Sequence, residues 1–173
     1  MSNIQINRLT NANIYMDGTN LLGRAEEIQL PQIKHKMADH KALGMVGSAE
    51  FFAGIDKLES KIKWNALYPE VLRTAANPFN TVQIQARASL ETYNNMGKIA
   101  EVPAVAYLAG TFKEFPLGNL KPQDNAEYET TMSINYAKLV INGEEIFEID
   151  VLANIYKVDG VDILAVYRSN IGA

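Results

Sequence analysis

His35 and His40 are the only imidazoles of the 173-residue chain, and Asp39 lies between them in "HKMADH". Two histidines and a carboxylate are a donor set that can hold a transition metal. Their spacing argues against it: residues five apart point to opposite faces of an extended segment, and a helix needs offsets of three or four. Both are therefore read as solvated surface side chains. Paired carboxylates offer a second chemistry, since Asp56 with Glu59, or Glu144 with Glu145 and Glu148, could serve as general acid and base if buried together. Beside tight turns they are expected to form a wet strand face. Trp64 near Lys61 and Lys63 could stack on a nucleotide base. Alternation instead sets both lysines against Ile62 and Trp64, which makes the indole a core-edge residue. "NMGKIA" has Gly97-Lys98 but lacks the upstream glycine of a phosphate loop, and no G-x-S-x-G, H-E-x-x-H or dinucleotide fingerprint occurs. The chain reads as neither an enzyme nor a holder of metal or cofactor.

The composition sets the frame in which such residues would be held. A length of 173 residues fits one domain, 1–173. With 47% hydrophobic and 21% charged residues, the chain reads as globular. It has no cysteine, so disulfides and thiolate metal sites are excluded, which suits a reducing cytoplasm. No secretory signal is expected at "MSNIQINRLTNANIYMDG", and no apolar run reaches the roughly 18 residues of a membrane helix, so no membrane anchor is expected. The formal charge is −4 and the basic residues are scattered, unlike the basic face of a nucleic-acid binder. Such a chain can still let DNA pass.

The local patterns are mostly β. "YETTMSINYAKLVINGEEIFEID" holds two β-rich runs hinged on Asn142-Gly143, the pair a type I′ turn favours. In its first arm Tyr128, Thr130, Met132, Ile134 and Tyr136 share one face; the pattern then slips near Lys138, as at a bulge or a change of sheet. "VQIQARASLE" alternates cleanly, and with "VPAVAYLAGTFKEF" it predicts a hairpin over 82–115 turning at 94–97. A short strand pair is expected around Asp17-Gly18, and "EEIQLPQIKHKM" reads as a strand with a bulge or edge at Pro31. A short helix is expected from Pro69 to the Asn77-Pro78 stop, and a second one in "VDGVDILAVYRSNIGA", with Asp162 as N-cap and Gly172 as stop. No repeat of 20 to 50 residues occurs. The expected fold is mainly β: two packed antiparallel sheets, a sandwich or split barrel, with one or two short helices.

One segment fits neither core nor turn. "ALGMVGSAEFFAG", residues 42–54, would leave several large apolar side chains in water, at roughly 25 cal/mol per Å². It must be covered, either by folding back over an open end of its own barrel or by another subunit. Sheet edges pose the same question, because unpaired backbone groups must be closed, blunted or paired with identical chains; a closing rotation then yields a ring. A different class of reading is a small-molecule-binding β-barrel whose pocket is lined by "AVAYLAGTF".

Tyr136, Lys138, Leu139, Asn142, Gly143, Glu148, Ile149, Asp150, Gly160, Val161, Asp162, Leu164, Arg168, Ile171 and Gly172, with "NANIYMDG", "LPQIKHK" and "GMVG" earlier, form a recurring set. By these positions the chain resembles the major tail tube proteins of contractile-tailed bacteriophages, and is also similar to the tube protein of R-type pyocins. The middle is looser, with Leu108 and Ala109 in place of polar residues and Leu120 where tryptophan is common. The resemblance implies two packed sheets, hexameric rings stacked into a hollow inner tube within a sheath, and assembly in the host cytoplasm into the tail of the virion. The implied partners are other copies of the chain, sheath protein, and baseplate and tail terminator proteins, with DNA passing through the lumen unbound. It makes Leu43, Gly44, Met45, Val46, Gly47, Phe51 and Phe52, with Val161, Asp162, Leu164 and Arg168, the candidate contacts between subunits or rings.

Overall fold

The structure is a computed structural model that describes residues 4–173. The chain runs through β1 (Ile6–Met16), β2 (Thr19–Asn20), β3 (Ala25–Gln29), β4 (His35–His40), β5 (Ala49–Ile55), β6 (Leu58–Trp64), α1 (Pro69–Ala75), β7 (Val82–Asn94) and β8 (Gly97–Glu114). It continues through β9 (Tyr128–Ile141), β10 (Glu144–Asp150), β11 (Ile155–Val158), β12 (Val161–Asp162) and α2 (Ala165–Ile171). The fold is mainly β with two short helices, as expected, and its pairings are antiparallel. The large sheet has the order β12-β11-β10-β9-β8-β7-β1-β2, and β6, carrying β3, branches from β9. Strands β4 and β5 form a small sheet of their own.

Tight turns set the local pairings. Asn142 (φ 52°) and Gly143 (φ 80°) occupy the two left-handed positions of a type I′ turn between β9 and β10. Asp17-Gly18 does the same between β1 and β2, and Asp159-Gly160 between β11 and β12. This last hairpin lies where a helix with Asp162 as its N-cap was expected. Helix α2 begins later, its N-cap is Leu164, and Gly172 at φ 73° closes it. Asp162 instead accepts the Leu164 N–H (3.0 Å) and pairs with Arg168, so it braces the helix from outside. Pro31 separates two strands, β3 and β4, where one was expected.

The largest departure from simple alternation lies in β9. Its first half pairs with β6, its second half with β10, and β8 follows its other edge from Thr131 to Ile141. The exchange occurs at Asn135, which has no partner in β8: Ala109 faces Tyr136 and Gly110 faces Ile134. The Asn135 carbonyl accepts the Val151 N–H instead (2.9 Å). One extra residue inverts the phase of everything beyond it. Tyr128, Thr130, Met132 and Ile134 are buried, and the buried series resumes at Ala137. Tyr136 therefore leaves the apolar face on which alternation placed it, and joins Lys138 on the opposite side.

The buried residues of β1, β6, β7, β8, β9, β10 and α1 form one cluster, so the branched sheet wraps around a single core. Trp64, expected at the core edge, lies inside it at 2% exposure. Its Nε1–H donates to Thr130 Oγ1 at 3.0 Å, which satisfies the polar end of the indole. Lys61 and Lys63 stay on the other face and pair with Glu129, Glu26 and Glu127.

Candidate assembly surfaces

Most of the residues that could have done chemistry are engaged in structural contacts. His35 and His40 sit at opposite ends of β4; His35 Nε2 lies 2.9 Å from the Tyr156 hydroxyl, and the His40 ring packs edge-on against Phe51. The Asp56 carboxyl is held below the usual carboxylate range by the Lys57 backbone N–H, assisted by Lys36. That of Glu59 is pulled down to about 2 by hydrogen bonds from Lys113 and then Lys57. A proton donor at neutral pH needs the opposite shift. Replacing Lys113 by methionine is expected to let the Glu59 carboxyl titrate closer to its ordinary 4.5, which side-chain carbonyl NMR will follow. Because the folded-state value is depressed, the contribution of Glu59 to stability is present above about pH 4.5 and is lost as pH falls toward 2. K113M should narrow that window.

A second charged row crosses three strands. Tyr136 donates to Glu148 (2.8 Å), Lys157 pairs with Glu148 (2.6 Å), and Lys138 pairs with Glu145 (2.8 Å). Lys157, then Tyr136, lowers the Glu148 carboxyl, while burial and then Glu148 raise the Tyr136 phenol. These groups fasten β9, β10 and β11 together on the face that the Asn135 bulge made polar. The apolar side of "AVAYLAGTF" is no ligand pocket, since Leu108 and Phe112 belong to the core cluster and Ala104 and Ala106 are buried. A cleft on its other side is lined by Gln83, Gln85, Tyr107, Tyr136, Lys138 and Asp150.

What the fold leaves unfinished is larger. Strands β4 and β5 stand out as a two-stranded arm whose residues are mostly exposed. Leu43 and Val46 at its tip are fully in solvent, at 105% and 109% exposure, while Met45, Phe51 and Phe52 are about half exposed. Gly44 (φ 86°) and Gly47 shape the tip. The arm does not fold back over its own body. Its base is held to the body by the His35–Tyr156 contact and by Ile33 and Ile55, which pack against the core, while the Asp56 N–H on the Lys34 carbonyl adds a last rung between its own two strands. Beside that base runs an apolar groove of about 510 Å³, lined among others by Phe52, Ile55, Ile149, Leu164 and Tyr167. The predicted C-terminal residues are thus near the base of the arm and far from its tip: Leu164 lines the groove, Arg168 ties Asp162 to the Asn154 carbonyl, and Val161 is 66% exposed. Helix α2 buries no residue of its own among those described.

Alternation alone gives no sign of a second unfinished feature. Strands β1, β7 and β8 run on past the core as a three-stranded wing. Outside β1, strand β2 covers only Tyr15 and Met16; outside β8, strand β9 begins at Ala104. Residues 6–13 of β1 and 97–102 of β8 therefore present open backbone edges at opposite margins of one wing, among the described residues. The strand lengths, 11 and 18 residues, held the signal: β8 is far longer than β9 can cover.

The chain has relatives among known proteins. The family described as Phage tail tube protein FII matches residues 6–172. The chain is similar to the tail tube protein of Escherichia phage P2, with 29% identity over 164 residues that cover 92% of this chain and 94% of that protein. It is also similar to the major tail tube protein of Serratia phage KSP20, with 24% identity over 152 residues, 87% of this chain and 86% of that one. Among solved structures, the cryo-EM structure of an extracellular contractile injection system, the PVC sheath-tube complex in its extended state, contains a chain of like fold. Its TM-score is 0.55 at 8% identity, covering 75% of this chain and 86% of that chain. The small-molecule-binding barrel finds no support in these likenesses. This chain belongs to the phage tail tube protein FII family, and it is a structural subunit of a phage tail tube.

Proposed function

We propose that the chain works as one domain, 1–173, that closes side by side with five further copies into a ring, and that such rings stack into a hollow tube inside a sheath. The observation that carries this reading is the pair of open edges on the wing. An edge on each margin of the same three strands makes a head-to-tail contact, and head-to-tail contacts close into a ring when the rotation allows. Each backbone hydrogen bond formed there contributes only about 1 kcal/mol net, but every interface of the ring repeats the set. Six is the number implied by the resemblance to contractile-tail tube proteins. Sheath protein surrounds the tube, baseplate and tail terminator proteins bound its ends, and in a phage DNA passes through the lumen. A chain of net charge −4 suits a conduit that does not bind its cargo. It performs no chemistry.

Negative-stain microscopy and sedimentation of the purified protein test the reading together. Six-membered rings or tubes are expected. A species that stays monomeric at tens of micromolar would overturn it.

A further inference from the structure

The wing restricts how its two open edges can meet. Strand β7 is antiparallel to both β1 and β8, so β1 and β8 run in the same direction. The rotation that carries one copy of a ring onto the next preserves the direction of each strand along the ring axis and the face turned toward that axis. Strand β8 of one copy therefore meets β1 of the next in parallel, although the pairings within the subunit are antiparallel. An antiparallel joint would need a two-fold contact, β1 on β1 or β8 on β8, which makes a dimer and no ring.

Both edges carry a stop. Successive residues of a strand turn their backbone groups to opposite edges. Ile14 faces away from β7, because its carbonyl accepts the Leu21 N–H. The next outward N–H, that of Ala12, is taken at 2.9 Å by the side chain of Asn11, the bulged residue with φ 52°. Before this cap, the outward backbone groups of Asn7 and Leu9 have no partner among the described residues. On β8, Pro103 has no N–H and its carbonyl accepts the Asn142 N–H at 2.8 Å; from Ala104 onward β9 holds the edge. Glu101, two residues earlier, turns its backbone groups to the same edge, again without a partner among the described residues.

The side chains at the two margins are complementary. Arg8, Glu91 and Glu101 are direct cross-strand neighbours in one row across the wing. Glu91 and Glu101 are like charges facing each other, and Lys98 is the one cation within ion-pair distance of either among the described residues, at 3.4 and 2.7 Å. Arg8, at the other margin, has no carboxylate within that distance among the described residues. The adjoining row, on the opposite face, is Leu9, Leu90 and Val102, with Leu9 58% exposed at its end. An unpaired cation at one margin and a surplus acid at the other thus lie at one level on one face.

Resting on the tube reading, we infer that β8 of one copy and β1 of the next form a short parallel ladder that ends at Asn11 and Pro103, with Arg8 of the next copy as the missing cation of the Glu91–Glu101 pair. On the other face Leu9 of the next copy is covered beside Val102. The cation sits on one edge and the acid on the other, so the joint selects unlike edges and disfavours the two-fold dimers.

The absence of native cysteine makes the joint directly testable. Asn7 and Ala100 end the neighbouring row, Asn7–Thr92–Ala100, and substituting them leaves both charges in place. Rings of an Asn7→Cys, Ala100→Cys variant treated with a short bis-maleimide should give covalent oligomers up to the closed ring, and each single-cysteine variant should stay monomeric in denaturing gels. Dimers from either single variant would show like edges pairing and overturn the inference. Intact rings of the double variant with no covalent oligomers would overturn it too, while leaving the tube reading standing. If the unmodified protein forms no rings, both fall. As an independent measurement, Arg8→Glu should prevent ring formation by a folded subunit, and adding Glu101→Arg should restore it; failure to restore, or undiminished rings from Arg8→Glu alone, counts against the assigned pair.

Discussion

Replacing Gly110 by alanine is expected to destabilise the subunit by about 3 kcal/mol or more, at or beyond the upper end of the usual overpacking penalty. Gly110 faces Ile134 where β8 and β9 change register around Asn135, and the two backbones meet there without room for a side chain. A Cβ at this position would lie 1.9 Å from the Ser133 carbonyl oxygen and 2.9 Å from the Ile134 Cα. Both neighbours are backbone, so no rotamer change relieves the clash; the strands must part or the bulge must move. Moving the bulge would shift the phase of Ala137 and Ile134, which are buried with only 2% exposure each. In calorimetry of the unassembled protein the midpoint should fall by roughly 6–12 °C. Gly47→Ala is the matching control, because nothing lies within 4 Å of its added Cβ and its φ is unexceptional. A Gly110→Ala protein that melts with the control would show that the register change is not where we place it.

The double substitution Leu43→Asp, Val46→Asp is expected to abolish tube formation and leave the subunit folded. Both side chains are fully in solvent within the subunit, so removing them takes nothing from the core, and the melting temperature should hold within the scatter of surface substitutions, about 0.5 kcal/mol. In an assembly that buries them, each contributes about 1.5–3 kcal/mol, and a carboxylate in the same place adds a desolvation penalty. The loss recurs in every copy of every ring. Met45 and Phe51, which the apolar make-up of 42–54 also marks, are weaker choices: Met45 is only 43% exposed, and the Phe51 ring packs against His40 within the arm. Electron microscopy should show rings at most. Tubes of ordinary length from this variant would remove the arm tip from the assembly contacts.

Some of this was legible in the residues themselves. The turns at Asp17-Gly18 and Asn142-Gly143 could be read because a left-handed pair of positions is a local demand that few residue types meet. The half-buried hairpin 82–115 could be read because period-two alternation records which face meets the core. Asp159-Gly160 held the same turn signal, obscured by a stretch that also reads as a helix start. The uncovered apolar flap was visible too, since its residues have no alternation that would bury them, and the resemblance to tail tube proteins lay in scattered positions along the chain.

Tertiary structure decided what depends on a partner distant in sequence. Alternation in β9 says that a slip occurs, but only the pairing of Gly110 with Ile134 puts it at Asn135 and sends Tyr136 to the polar face. The indole of Trp64 is core because Thr130, 66 residues away, accepts its N–H. The open edges of β1 and β8 exist because β2 and β9 are too short to cover them. A strand's sequence records which of its faces is wet; which of its edges is left without a neighbour depends on where every other strand has been laid down.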